Sequence, residues 1–374
     1  MTENQEIRVG VVGGGAIVKM SHLPSIARTE GVRAVAIADP AQERVDALAA
    51  EHGAVAYTDY RTMLEQAELD AVLVALPNHL HLDVVERAAA AGLHVFTEKP
   101  VAHNLEDAVA IKAATDAAGV VTQTGFNQRY REPVRLARQG IDAGVVGEVL
   151  SFRSVYSESH ALYPAASKYR YNLEQSGGAS ILDLAIHRID QARYLVGEIV
   201  EVCATVDHVT IPHSADDNVF LLLRFANGAT GVISSDRFSP QVSNATDLFG
   251  PNGTIHLSTE TRSPFASVPL AFSSTLAQDD LPPEFAEADW PTAWWLDYEP
   301  GQWVTMSPRR GNPYDLEWAA FVDAVNGIES DGRPTITDGV KAQEVVTAAY
   351  RSAREHGWVS LPLTDPIEPI PTYS

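Results

Sequence analysis

Asp183 and His187 stand four residues apart in a stretch that reads as a helix from Ala179 to about Val196, entered through Ser176-Gly177-Gly178. At that spacing both side chains leave one helical face, a turn apart. A carboxylate beside an imidazole can act as an acid/base pair, or can serve as no more than a capping and packing pair. Such a pair can also hold a metal, but no third and fourth ligand follow at a recognisable spacing, so no metal site is expected. The other reactive group is Lys99. Glu98-Lys99-Pro100 follows the strand-like Leu93-His94-Val95-Phe96, which places an ammonium at a strand end before a proline whose peptide bond can be cis. An ordinary exposed turn lysine fits the same residues. The preceding strand, Ala71 to Leu76, runs into Pro77-Asn78-His79-Leu80-His81. In an open parallel sheet, ligands sit outside the carboxyl ends of the strands, so Leu76 to Pro100 reads as the edge of an active site.

The elements needed to position these groups come in two patterns. Ile7 to Val12 is an apolar strand followed directly by Gly13-Gly14-Gly15-Ala16-Ile17-Val18 and a helical stretch to about Ala27. In that setting Gly13 permits a tight turn, and Gly15 lets backbone N–H groups approach a pyrophosphate at a helix N-terminus. The third glycine position holds Val18. The next strand, Ala34 to Ala38, ends at Asp39, which can accept hydrogen bonds from an adenosine ribose or cap the helix starting near Ala41. No positive charge beside Pro40 is evident to receive a 2′-phosphate, so NAD is favoured over NADP. Strands and helices alternate to about residue 125, which predicts a doubly wound parallel sheet, a nucleotide-binding domain over 1–125.

In the remainder, 126–374, strands near 149–156, 200–206, 219–225 and 228–234 follow one another without crossover helices, and Ala226-Asn227-Gly228 is a hairpin signal. A second α/β domain with a mostly antiparallel sheet is expected. Residues 258–311 read as an irregular insertion, with Trp290, Trp294, Trp295, Tyr298 and Trp303 within it. A lid that stacks on a sugar ring and an oligomer interface both fit. Helices at about 313–327 and 338–356 and an extended Pro-rich tail, 362–374, close the chain.

Among 374 residues, 27 Lys+Arg face 49 Asp+Glu, a formal charge of -22 that argues against nucleic-acid or anionic membrane partners. The single cysteine, Cys203, allows no intrachain disulfide and fits a reducing compartment. The polar start Met1 to Glu6 is no signal peptide, and no apolar run approaches the roughly 20 residues of a membrane span. A cytoplasmic enzyme is expected.

Taken in order, Val9 to Gly15, Ala38-Asp39-Pro40, Pro77 to His81, Glu98-Lys99-Pro100, Asn127-Gln128-Arg129-Tyr130, Gly177-Gly178 and Asp183 to His187 resemble the Gfo/Idh/MocA family of oxidoreductases. The likeness covers about residues 7–257, and Phe321 to Leu361 is similar to the family's C-terminal pattern. It implies a Rossmann domain, then an α/β domain whose open sheet packs on the cofactor site and often builds homo-oligomers, dimers or tetramers. It also implies NAD(P)-dependent oxidation or reduction of a sugar, inositol or related cyclic polyol. Carried onto matching positions, it sets Gly13, Gly15, Ala16, Ile17, Asp39, Pro77, Asn78, His81, Glu98, Lys99 and Gln128 around the cofactor. Lys99, Arg129, Tyr156, Tyr169, Asp183 and His187 would meet the substrate, with Asp183 orienting it and His187 as general acid/base. His81 matches the position beside the nicotinamide, and His79 a variable one. Two rival functions remain: an NAD-dependent glycoside hydrolase or lyase that oxidises its sugar only transiently, and a cofactor-binding regulator without catalysis.

Overall fold

The computed structural model describes residues 6–159, 168–210, 215–239, 244–258, 269–286, 298–308 and 311–364. The chain divides into two compact units. The first comprises Met1–Tyr130, Glu174–Gly177 and Asn312–Gln343; the second comprises Arg131–Leu173, Gly178–Gly311 and Glu344–Ser374.

Six strands form the sheet of the first unit: β1 (Ile7–Val12), β2 (Val32–Ala38), β3 (Val55–Tyr57), β4 (Ala71–Val74), β5 (His94–Thr97) and β6 (Thr122–Thr124), in the order β3-β2-β1-β4-β5-β6. Every pairing is parallel. Such a sheet needs cover on both faces, and β4 is buried along its whole length, as its unbroken apolar run requires. Strand order reverses between β1 and β4. Chains leaving those two strands diverge there, so the glycine turn after Val12 and the turn at Leu76–His81 border the place where doubly wound sheets receive ligands. Helices Gln42–His52, His81–Ala90 and Leu105–Ala118 match the alternation read from sequence; Tyr60–Gln66 is an additional one.

A single domain boundary at residue 125 does not describe this unit. The helix Pro313–Val325 belongs to it, because Trp318, Phe321 and Val322 join Val11, Leu73 and Phe96 in one core. That helix shields apolar surface that β1, β4 and β5 alone would leave in water.

Nine strands make the sheet of the second unit: β7 (Ser151–Val155), β8 (Ile199–Asp207), β9 (Asn218–Phe225), β10 (Thr230–Asp236), β11 (Ala245–Gly250), β12 (Gly253–Ser258), β13 (Leu270–Ser274), β14 (Trp303–Met306) and β15 (Val359–Ser360). Their order is β14-β13-β12-β11-β7-β10-β9-β8-β15, antiparallel apart from the β7–β10 pair. Residues 258–311 are therefore not irregular throughout. β13 and β14 extend the sheet, and the Tyr298 hydroxyl donates to the carbonyls of Ser274 and Leu276. Trp290, Trp294 and Trp295 lie outside the described residues. Along β9 the residues alternate in and out, burying Val219, Leu221, Leu223 and Phe225. Phe220 and Leu222 on its other face are 51% and 50% exposed. Among the described residues, no helix is long and apolar enough to cross a membrane.

Gly13 fixes how the first unit meets a ligand. Its φ is +106°, and a Cβ there would stand 2.3 Å from the Ala75 carbonyl oxygen. Gly13→Ala should therefore lower stability by about 1–3 kcal/mol from backbone strain, before the clash is counted. A urea midpoint equal to that of the unsubstituted protein would contradict this account of the turn.

Candidate active site

The first unit supplies a glycine loop and three turns. Gly15 has nothing within 4 Å of where a Cβ would stand, and Gly15 and Ala16 are exposed while Ile17 is half-buried. This is the open space beside a glycine turn that a pyrophosphate needs, so the loop fits a dinucleotide. Val18, at the third glycine position, is fully buried among Val9, Val11 and Leu23. It opens a π-helical turn, Val18–His22, inside the helix.

Asp39 is 5% exposed and does two jobs at once. Its carboxylate accepts the N–H of Gly14 at 2.8 Å and of Ala41 at 2.9 Å, which ties the glycine loop to the next helix. Arg44 Nη1 lies 3.1 and 3.0 Å from its two oxygens. A positive charge does adjoin Asp39, contrary to the sequence reading, because a helical turn carries residue 44 back over residue 39.

In the turn after β4, Pro77 is half-buried and Asn78 is buried, donating from Nδ2 to the Ser176 carbonyl at 2.7 Å. His79 faces the Gln175 carbonyl at 3.3 Å. His81 lies behind the turn. Its ring is fully buried, with Nε2 2.9 Å from the Leu76 carbonyl and Nδ1 3.1 Å from that of Val101. Burial pushes its pKa down, and a neutral ring carries one N–H, so it can donate to only one of these two carbonyls. At the next turn, the Lys99–Pro100 bond is cis. Glu98 accepts the N–H of Lys99 at 3.1 Å and lies 2.8 Å from His22 Nε2. The side chain of Lys99 is half-buried. Gln128 and Arg129 are buried in the short helix Asn127–Tyr130. Within this unit Arg129 donates to the Gly332 carbonyl at 3.2 Å and to Asp338 at 3.1 Å. These bonds brace the loop at 332–338.

The second unit supplies Asp183 and His187. Asp183 lies in a π-helical turn, Ile181–Ala185, which passes into the α-helix Ile186–Leu195. The sequence pattern predicts an unbroken α-helix, whereas π turns arise where local demands alter the register, often at functional sites. Its start is fixed by Asp216. That buried carboxylate accepts the N–H of Ala179 at 2.9 Å, of Ile181 at 2.7 Å and the Tyr350 hydroxyl at 2.7 Å. Gly178, at φ +149°, leaves the space: a Cβ would meet the Tyr350 oxygen at 2.5 Å.

Asp183 receives two guanidinium groups, from Arg170 and Arg237. Arg237 is 1% exposed and also donates to Glu158 at 2.6 Å. Burial opposes its charge, but Asp183 and Glu158 outweigh that and raise its pKa. Asp183 is thereby held as a carboxylate, an acceptor only. Arg170 also lies 5.6 Å above the Tyr169 ring. His187 is 7% exposed, with Tyr156 edge-on at 6.0 Å between ring centres. The Arg188 guanidinium sits 4.7 Å over that Tyr156 ring. Burial lowers the Arg188 pKa to about 10, against the pull of Tyr156 and with Arg131 adding to the lowering.

The glycine loop, Asp39 and Lys99 belong to the first unit, and Tyr156, Tyr169, Asp183 and His187 to the second. His22, Asp216 and Arg237 escape sequence reasoning, since their partners lie 76, 35 and 54 residues away.

The description "Oxidoreductase family, NAD-binding Rossmann fold" fits residues 7–126, and the Gfo/Idh/MocA C-terminal domain fits 134–256. The chain belongs to the Gfo/Idh/MocA family of oxidoreductases. Among similar members, a levoglucosan dehydrogenase of Pseudarthrobacter phenanthrenivorans is 28% identical over 96% of this chain and 99% of its own. The myo-inositol 2-dehydrogenase of Thermotoga maritima is 30% identical over 67% of this chain and 74% of its own. A solved levoglucosan dehydrogenase in complex with NADH superposes with a TM-score of 0.83 at 26% identity, covering 96% of this chain and 100% of that one. As a family member the chain is an oxidoreductase with a nicotinamide-binding fold, as its first unit and glycine loop imply.

The Asp216 cap should be measurable. Asp216→Asn turns an NH2 donor toward N–H and hydroxyl groups that need an acceptor, and should cost about 1–3 kcal/mol in urea unfolding. Tyr350→Phe should cost less, about 1 kcal/mol. A neutral Asp216→Asn would remove the cap from the account of the site.

Proposed function

We propose that this chain transfers a hydride between NAD and a secondary alcohol of a sugar, inositol or related cyclic polyol. The observation that carries the reading is Asp183, fixed as a carboxylate by Arg170 and Arg237 on the helix that bears His187. An acceptor held this rigidly suits a neutral substrate rich in hydroxyl groups. The named activities of the levoglucosan and myo-inositol relatives support the same class.

Bound nicotinamide supplies the acceptor and donor of hydride. The chain's own groups do the rest. As the carbinol C–H bond breaks, His187 takes the hydroxyl proton and a C=O bond forms. The Lys99 ammonium stabilises the negative charge that grows on that oxygen, an effect larger in a dry cleft than in water. Asp183 accepts a neighbouring hydroxyl and sets the ring's orientation. In the reverse direction His187 returns the proton.

NAD is favoured because the Asp39 carboxylate suits two ribose hydroxyls and repels a 2′-phosphate. The exposed apolar side chains of β9, Phe220 and Leu222, support self-association through that face of the sheet. The lone Cys203 supports a reducing interior as the place of work.

The test is a screen of NAD and NADP reduction over inositols, pentoses, hexoses, sugar phosphates and glycosides. Net NADH formation with a polyol is expected; consumption of a glycoside without net NADH would favour the hydrolase or lyase reading instead. With the substrate found, His187→Ala should lose about 10²–10⁴-fold in kcat while binding NADH normally by fluorescence titration. Lys99→Ala should lose turnover with an unchanged circular dichroism spectrum. Full turnover in either variant overturns that residue's role.

Cofactor choice gives a separate expectation. Asp39→Ser leaves Arg44 unpaired near the ribose and should move the ratio of kcat/KM values toward NADP by about 10–100-fold, the worth of a charge-assisted hydrogen bond. Adding Arg44→Ala should abolish that gain. A gain that survives the second substitution would mean Arg44 has no part in the choice.

A further inference from the structure

His22 has no place in the reaction above, yet it is fully buried and its ring faces three aromatic side chains. Phe96, Tyr314 and Trp318 stand edge-on to it, at 5.5, 5.3 and 6.1 Å between ring centres. Phe96, Trp318 and Phe321 pack on one another beyond, so the pocket is dry and its hydrogen bonds are strong.

The direction of each hydrogen bond follows from chemistry. Trp318 Nε1 lies 3.2 Å from His22 Nδ1, and an indole N–H can only donate. His22 Nδ1 therefore presents its lone pair, and the ring carries its proton on Nε2. That N–H points at Glu98 Oε1, 2.8 Å away. The other oxygen of Glu98 accepts the backbone N–H of Lys99 at 3.1 Å. Were the imidazole to carry its proton on Nδ1 instead, Nε2 and Oε1 would face each other lone pair to lone pair. Glu98 would turn away and release Lys99.

We propose that Trp318, His22 and Glu98 form a positioning relay for Lys99, in which the tryptophan locks His22 in the neutral tautomer protonated on Nε2. The relay rests on the role given to Lys99 above, but the lock does not. Burial would raise the Glu98 pKa, yet the His22 hydrogen bond, the attraction of any charge on His22 and the nearby Lys99 outweigh it, and the carboxyl is held below its usual range. Burial and the negative charges of Glu98 and Glu317 push Tyr314 up, so its hydroxyl stays protonated and adds no charge beside His22.

The experiment combines histidine side-chain NMR with kinetics. In the ¹⁵N-histidine-labelled protein, His22 should show a protonated Nε2 and a bare Nδ1, without cofactor or substrate. Trp318→Phe, which keeps an aromatic ring in place, should let His22 exchange tautomers. Its kcat should fall about tenfold, the size of one lost hydrogen bond, while the KM for NAD holds. His22→Gln can still accept from Trp318 and donate to Glu98, and should retain far more turnover than His22→Leu. A doubly protonated His22, or one protonated on Nδ1, overturns the lock. Unchanged kcat in both Trp318→Phe and His22→Leu, with Lys99→Ala inactive, reduces the cluster to packing. Full turnover in Lys99→Ala would instead defeat the role of Lys99 and leave the NMR result to judge the lock alone.

Discussion

Asp216 takes the N–H groups of Ala179 and Ile181 into its carboxylate, and from that anchored backbone hang Asp183 and, a turn later, His187. The same device recurs wherever the chain must hold a turn for chemistry. Asp39 receives Gly14 and Ala41, and Glu98 receives Lys99. Each is a buried or half-buried anion satisfied by backbone amides, which is how a carboxylate tolerates removal from water. The constraint matters because hydride transfer needs reacting atoms placed within a few tenths of an ångström, and a free loop cannot supply that.

Buried cations are arranged to complement those anions. A chain with formal charge -22 still buries the guanidinium groups of Arg129, Arg188 and Arg237. Arg129 is met by Asp338 and a carbonyl, Arg237 by Asp183 and Glu158, and Arg188 by the face of Tyr156 and by Gln191. Removing one partner of such a buried pair is far more damaging than the pair's net worth, because the survivor is left charged in a poor solvent. The positions of Asp183 and Tyr156 are therefore set by charge as much as by packing.

Wherever cause and effect lie close along the chain, the sequence was readable. Gly13, Gly15 and Asp39 sit in one strand-turn-helix-strand run, and the parallel sheet follows from its apolar strands and their spacing. Lys99, Asp183 and His187 are singled out by the order of short motifs. What surrounds His81 and Arg129 is not visible locally: a histidine at a strand end looks alike whether it faces open space or two carbonyls behind the turn. His22 and Trp318 are 296 residues apart, and nothing local to either announces the other. The strands β13 and β14 were hidden for a related reason, since five and four residues are too few for a clear alternation and their pairing partners supply the evidence.

The central claim is that a carbon-bound hydrogen of a polyol becomes the new hydrogen at C4 of the nicotinamide while the chain only moves the proton. Deuterium at the carbinol carbon of the substrate tests it directly, with the isolated NADH read by mass spectrometry and NMR. One deuterium per NADH, at C4, with unlabelled solvent leaving no trace there, is the result predicted. NADH without deuterium, or substrate consumed with no net NADH, would contradict it.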